Sequence, residues 1–250
     1  MKIFQSIKNI FSKANRGNIA YYPGCLTRFV GKELEENYIK ILDLLGLDYI
    51  VVDQIKCCGS PALNAGYKEV FEQQIDKNIE YFSSRNIKRI VTNCPACYHT
   101  FSKQYSKYDK WNKQGIEVIH ITQLIQENID KLRIHDKLGI IATYHDPCHL
   151  GRHSGIYEEP REIIKKCIKE LKEMRFSKEY SFCCGGGAGL RTTNKELSKR
   201  VAKKRVEQAE EINVDAIITT CPLCYLHLKE NSDKIPVYEL SQIIIKACKI

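Results

Sequence analysis

Apolar positions along the chain follow two alternating rhythms: short β-branched runs, and longer stretches with one apolar face. Asn18–Tyr22 reads as a strand. Over Lys32–Leu45, residues Leu34, Tyr38, Ile41, Leu42 and Leu45 recur at helical spacing, and Gly46 stops the helix. Asp48–Asp53 reads as a strand, Tyr67–Arg85 as a helix and Lys88–Thr92 as a strand. A helix after Cys97, strand Glu117–Ile119 and helix Thr122–Asp130 follow. The order then repeats: strand Gly139–Tyr144, helix Glu159–Glu173, a short segment near Tyr180, helix Asn194–Glu211 and strand Asp215–Thr219. A helix after Cys224, strand Pro236–Tyr238 and helix Leu240–Cys248 end the series. Strands separated by helices of this length predict an α/β fold of two duplicated halves, each a small, mainly parallel sheet flanked by helices.

The cysteines carry the same repeat. Twelve occur in 250 residues, and ten obey one pattern twice. The first copy is Cys25, 31 residues, Cys57-Cys58, 35 residues beginning with Gly59, then Cys94-Pro95-Ala96-Cys97. The second is Cys148, 34 residues, Cys183-Cys184, 36 residues beginning with Gly185, then Cys221-Pro222-Leu223-Cys224. Flanking residues agree as well. Ile90–Tyr98 aligns with Ile217–Tyr225, and Val118–Ile125 with Val237–Ile244. The expected organisation is an amphipathic segment over 1–17, one half over 18–130 and the other over 138–250.

Four of these cysteines, Cys25, Cys94, Cys148 and Cys221, lie just after a predicted strand. Ligands collect at the carboxyl ends of strands in open α/β sheets, so turns far apart in sequence can meet there. Each CxxC sets two sulfurs one turn apart at a helix start, where the helix dipole favours thiolate. No secretory signal and no run of 18 apolar residues is visible, which points to a cytoplasmic protein with metal or redox cysteines rather than a disulfide framework. A tetrahedral zinc site or a cubane cluster uses four sulfurs, leaving one of five idle. Five thiolates suit a larger or more open iron–sulfur assembly, with zinc in one half left open.

The doubled pattern resembles the cysteine-rich CCG domain of the B-type and D-type subunits of heterodisulfide reductase, found also in iron–sulfur subunits of glycolate, lactate and glycerol-3-phosphate oxidoreductases. Tyr144–Arg152 and Cys183–Gly189 look very like the second motif of that family. The resemblance covers about residues 18–250. It implies two noncubane [4Fe–4S] clusters, one on Cys25, Cys57, Cys58, Cys94 and Cys97, the other on Cys148, Cys183, Cys184, Cys221 and Cys224. It further implies electron transfer from a ferredoxin-like iron–sulfur subunit, with a flavoprotein subunit, to a small-molecule disulfide of the CoM-S-S-CoB type. A relay to another electron carrier, serving a flavin-dependent 2-hydroxyacid or glycerol-3-phosphate dehydrogenase, is the second reading. A non-catalytic zinc module is the third. The D-type relatives carry a ferredoxin-like segment with CxxCxxCxxxCP motifs; none occurs here, so a separate subunit is expected to supply electrons.

Other residues gain meaning around this frame. Gly59, Gly185, Gly186 and Gly187 adjoin the cysteine pairs, where glycine lets backbone approach a bulky group and offer N–H donors to sulfur. His145 and His149 flank Cys148 and are the candidate catalytic proton donors; hydrogen bonding around the ligands is the competing role. Cys167, mid-helix, and Cys248 lie outside the repeat and read as core residues. The formal charge of +9 stems from 39 Lys and Arg against 30 Asp and Glu. Its densest run, Lys199 to Arg205, alternates with glutamates and reads as a solvated helix with pairs such as Lys203–Glu207, or as a docking face for an acidic ferredoxin or flavoprotein. No nucleic-acid motif accompanies it. Over Met1–Lys13 a stripe of Ile3, Phe4, Ile7, Ile10 and Phe11 beside lysines suits peripheral membrane contact or docking on a partner.

Overall fold

The computed structural model describes residues 18–52 and 57–250. The amphipathic stripe of Met1–Lys13 lies outside them. The first half contains a four-stranded parallel sheet in the order β2-β1-β3-β4, formed by β1 (Ile19–Tyr22), β2 (Ile50–Val51), β3 (Arg89–Thr92) and β4 (Glu117–His120). The second half repeats it as β6-β5-β7-β8, with β5 (Leu138–His145), β6 (Ile168–Lys172), β7 (Ala216–Thr219) and β8 (Val237–Glu239). The duplicated α/β architecture is therefore as expected. Helices cover both faces of each sheet, so the central strands are apolar without alternation: β1 reads Ile-Ala-Tyr-Tyr, and all of β7, Ala-Ile-Ile-Thr, is buried.

Strand order decides where a ligand can sit. From β1 the chain crosses to β2 on one side, then returns to β3 on the other. The crevice between the carboxyl ends of β1 and β3 is the switch point of the sheet, and β5 and β7 make its counterpart.

One predicted element is corrected. The helix expected over Glu159–Glu173 ends at Cys167, where Ile168 turns extended (φ −122°, ψ 165°) and starts β6. Lysines and glutamates gave Lys169–Lys172 a helical look. The unpaired edge of β5 instead recruits this segment as a parallel strand, pairing Ala142 with Leu171. Cys167 is thus the last residue of its helix, buried in the core with Cys248.

The halves share one core. It includes Tyr38, Ile41 and Leu42 of α2 (Lys32–Leu44), with Ile243, Ile244 and Ala247 of α12 (Leu240–Cys248). It also includes Leu124 and Ile125 of α7 (Ile121–Glu127), with Ile163 and Ile164 of α8 (Glu158–Cys167). Helices α7 and α12 begin with matching capping boxes: the His120 N–H donates to Gln123 and the Glu239 N–H to Gln242. At this repeated position His120 is neutral, held down to about 3 by burial, while Glu239 takes a hydrogen bond of 2.5 Å from Tyr38 of the other half. Among the described residues, no helix is long and apolar enough to cross a membrane.

Burial, opposed by bonds from Ser241 and Tyr38, pushes the Glu239 carboxyl up to about 7. With its folded value above its unfolded one, the group favours the native state fully below pH ~4.5, and that contribution is lost as pH rises through about 7. The loss is on the order of 3 kcal/mol, because Glu239 is wholly buried. Glu239→Gln is expected to unfold at higher denaturant concentration than the parent at pH 8, with the gap closing toward pH 5. Urea titrations at both pH values check this.

Candidate metal centres

The ten repeated cysteines gather at the two switch points. In the first half, Cys25 is the second residue of α1 (Gly24–Phe29), which follows β1, and Cys94 follows β3 as the residue before α5 (Pro95–His99). Cys57 and Cys58 come in from the side, ahead of α3 (Ser60–Asn64). The second half repeats the plan with Cys148 after β5 and Cys221 before α11 (Pro222–Glu230). Pro95 and Pro222 occupy the first helical position, where a missing N–H costs nothing.

All twelve thiols are free. In the second half, Cys184 Sγ lies 3.2 Å from Cys224 Sγ, far beyond the ~2.05 Å of a disulfide. The crowding perturbs the thiols in alternation. Contacts from Cys25 and Cys58, with the Gly59 N–H, hold Cys57 down at about 2, while the same contact raises Cys25. Contacts from Cys148 and Cys184 likewise lower Cys183 to about 2, and Cys184 is pushed up to about 12, chiefly by Cys183. Each half therefore holds one strongly acidic thiol, Cys57 or Cys183, among neighbours that burial and thiol contacts keep protonated. Cys25 is exposed and Cys57, Cys94, Cys148 and Cys183 are half-buried, whereas Cys58, Cys97, Cys184, Cys221 and Cys224 are buried, so each cradle opens on the side of its lone cysteine and the first cysteine of its adjacent pair.

The glycines shape the cradle walls. Gly59 and Gly185 adopt left-handed backbone (φ +86° and +79°) and donate N–H groups to Cys57 Sγ (3.4 Å) and Cys183 Sγ (3.3 Å). A Cβ on Gly59 would lie 2.6 Å from Phe71, and one on Gly185 would lie 2.6 Å from the Ser198 carbonyl oxygen. Phe71 and Ser198 are equivalent positions of α4 (Lys68–Ser83) and α10 (Lys195–Glu210), which both span sixteen residues. Gly186 donates to Cys184 Sγ at 3.4 Å. Gly187 is set apart: its carbonyl accepts from the Leu190 N–H in the turn into α9 (Leu190–Thr193).

The two candidate histidines occupy different surroundings. His149 is half-buried, with Nδ1 3.5 Å from Cys148 Sγ. Burial, then His153 and His99, lowers it to about 4. The His99 ring, from the end of α5 in the other half, lies 5.7 Å from His149 and 5.5 Å from His153. Each CxxC helix thus packs on the segment that follows the other half's lone cysteine; α11 does so against α1. His145 ends β5 and is buried. Its Nδ1 accepts the Arg205 Nε–H at 3.0 Å, so the ring proton sits on Nε2. That Nε2 is buried with no protein partner. A ring nitrogen of His145 and the sulfurs of Cys184 and Cys224 lie within 4.8 Å of one another. Burial, and next the Arg205 charge, keep His145 well below the usual histidine range.

Asp146 has a structural position: it takes two bonds from Arg161 (2.7 and 2.9 Å) and one from the Lys178 N–H. The basic run of α10 is only partly a solvated face. Glu207 pairs with Lys204 at 3.2 Å, and Arg205 is fully buried against the second cradle. His99 escaped the sequence reading, which placed Arg205 only in a charged run. A position-by-position comparison of the two copies would have flagged Arg205, which aligns with the neutral Asn78.

Comparison with known proteins agrees with this geometry. The description of the cysteine-rich domain, CCG, matches residues 19–102 and 142–229. The chain belongs to the CCG cysteine-rich domain family. It is 32% identical over 220 residues to a protein of Methanocaldococcus jannaschii named only as an iron–sulfur protein, covering 88% of this chain and 42% of that one. It is 29% identical over 241 residues to the D-type subunit of the dihydromethanophenazine:CoB–CoM heterodisulfide reductase of Methanosarcina acetivorans, covering 93% and 58%. It is 28% identical over 245 residues to the EtfAB:quinone oxidoreductase of Syntrophomonas wolfei, covering 90% and 34%. This CCG chain thus spans between a third and three-fifths of the length of these relatives, and it is related to iron–sulfur oxidoreductase subunits.

The cradles suit iron–sulfur ligation on three counts. Five soft thiols converge in each, backbone N–H groups point at sulfur, and the buried His145 ring, whose Nε2 has no protein partner, packs beside the sulfurs of Cys184 and Cys224. Gly185→Ala is expected to cost about 1–3 kcal/mol through its left-handed backbone and its clash with the Ser198 carbonyl, and to lower metal loading of the second half. Thermal denaturation with iron analysis reads both effects.

Proposed function

We propose that the chain is an iron–sulfur redox subunit that takes electrons from a ferredoxin-type partner and delivers them to a small-molecule disulfide, within a complex that includes a flavoprotein. The observation that carries this is the five-thiol cradle at the switch point of each sheet. Cys25, Cys57, Cys58, Cys94 and Cys97 would hold one cluster, and Cys148, Cys183, Cys184, Cys221 and Cys224 the other, both of the noncubane [4Fe–4S] type. When bound, such clusters supply one-electron steps and an iron that takes a substrate sulfur. Cleavage of a disulfide to two thiols consumes two electrons and two protons.

The residues supply position and protons. His149, half-buried at the mouth of the second cradle beside Cys148, has the access that a proton donor needs, and His99 and His153 connect it toward solvent. His145, buried with Arg205 on one ring nitrogen and cradle sulfurs close by, suits holding sulfur rather than carrying protons from water. Similarity to a heterodisulfide reductase subunit supports a disulfide of the CoM-S-S-CoB type as substrate. A second reading, electron relay to a quinone or another carrier, draws support from the similarity to EtfAB:quinone oxidoreductase.

Anaerobic purification with iron, sulfide and zinc analysis and EPR tests the cofactor. Two bound zincs without iron would reject both redox readings. Reduction of a mixed disulfide by the loaded protein with a low-potential dye separates them, since a relay protein would reduce a quinone analogue instead. His149→Ala is expected to slow disulfide turnover about 10²–10⁴-fold at unchanged iron content. Normal turnover at normal loading would remove His149 from the proton step.

A further inference from the structure

Each cradle is backed by a sixteen-residue helix, and the two helices present different charges to solvent. In α4 two lysines stand against four carboxylates, those of Glu69, Glu72, Asp76 and Glu80. In α10 six Lys and Arg stand against three glutamates. Arg205 is the buried one; Lys195, Lys199, Arg200, Lys203 and Lys204 are all exposed. Lys199 and Lys204 lean on Glu196 (3.6 Å) and Glu207 (3.2 Å) of the same helix. Among the described residues, Lys195, Arg200 and Lys203 have no carboxylate partner. Lys195, Lys199 and Lys203 also follow one another at i,i+4 spacing, where like charges destabilise a helix. This face therefore costs the free protein stability and suits an anionic partner from outside.

An apolar strip runs beside it. Phe176 (41% exposed), Tyr180 (75%) and Phe182 (38%) lie within one short segment, 175–182. Arg205 fastens that segment to α10: Nη1 donates to the Phe176 carbonyl (2.8 Å) and Nη2 to Ser181 Oγ (3.1 Å). Leu197, on α10 itself, is exposed as well. Four of the nine exposed large apolar side chains among the described residues thus sit on α10 or on the segment bonded to it. The strip is close to neutral. Lys178 is paired with Glu158 at 2.6 Å, which leaves Arg175, over the Phe176 ring, and Glu179. It ends at Phe182, and the next residue is the half-buried Cys183 of the second cradle.

An apolar centre beside a charged margin is the anatomy of a protein interface, and a margin of one sign steers a partner of the other. Resting on the function proposed above, we infer that α10 and the 175–182 segment form the docking face for an acidic, ferredoxin-type iron–sulfur protein, so that electrons enter at the second-half cluster beside Cys183. The donor gives up one electron per encounter and leaves oxidised. Two encounters, with two protons taken up from water, convert one disulfide to two thiols. The first cradle has apolar side chains at its margin too, Tyr67 and Val70 at the start of α4, but the carboxylates of that helix repel an acidic donor. Charge on one pair of equivalent helices decides which half is the entrance.

Stopped-flow reduction of the anaerobically loaded full chain by a reduced, acidic [2Fe–2S] ferredoxin tests this. The second-order rate constant is expected to fall as salt rises. Arg200→Glu with Lys203→Glu is expected to lower it about tenfold or more at low ionic strength and to flatten its salt dependence. Lys68→Glu with Lys77→Glu makes the same change of charge on α4 and is expected to stay within about twofold of the parent. Tyr180→Ala, at the most exposed point of the strip, is expected to slow the reaction several-fold even at high salt. All these side chains are exposed, and rates are compared at equal iron content. An unchanged rate in the α10 variant overturns the inference; binding of the parent but not the variant to a DNA duplex or an anionic vesicle would then identify what the face holds. An equal fall in both double variants also overturns it, because net charge alone would account for both. A parent without iron, or a loaded parent that ferredoxin does not reduce, overturns the proposed function instead.

Discussion

Thiols packed against one another inside a protein are an unstable arrangement unless something takes their protons. Much of this fold answers that constraint. Each cradle draws its sulfurs from two adjacent strand ends and one side segment, which only a crossover at the switch point brings within contact. Backbone N–H groups of Gly59, Gly185 and Gly186 face sulfur, an arrangement that favours thiolate over thiol at the atoms they reach. The left-handed backbone at Gly59 and Gly185 follows from the same demand: the chain must turn sharply against a helix immediately after a pair of adjacent cysteines.

Duplication supplied the frame and divergence supplied its chemistry. Tyr21 and Tyr144 hold matching places, one donating to Asn93 and the other paired with Thr220. The capping boxes at His120 and Glu239 also match in form. Differences concentrate where a side chain meets either the partner half or the sulfurs. His120 is replaced by an acid that bonds across to Tyr38, and Asn78 by a cation that backs a histidine. The backbone tolerates these exchanges because the strands and capping geometry around them stay the same.

Sequence periodicity was enough for every strand but β6, because strands buried on both faces are short apolar runs that sit at fixed intervals from the cysteines. The spacing of Cys25, Cys57, Cys58, Cys94 and Cys97 was enough for the cradle, since the repeat fixes which sulfurs belong together. Edge strand β6 was hidden because its lysines and glutamates suit a helix, and only the hydrogen bonds of β5 decide otherwise. Arg205 was hidden for a related reason. It sits in a run of surface charges, and its burial depends on which way one helix face turns toward His145. His99 came into view only through packing between the halves, which no local pattern encodes.

The opening of each cradle on the side of its lone cysteine also sets where the molecule is vulnerable. Cys25 meets solvent, Cys57, Cys94, Cys148 and Cys183 are half-covered, and Cys58, Cys97, Cys184, Cys221 and Cys224 are shielded beneath them. Molecular oxygen and peroxide therefore reach the rim sulfurs first, and oxidation would advance inward from Cys25 in the first half and from Cys148 and Cys183 in the second, along the sulfenic and sulfinic series. A protein built this way is suited to anoxic surroundings or to a companion that covers its rim, and damage in air begins at the face through which a substrate would enter.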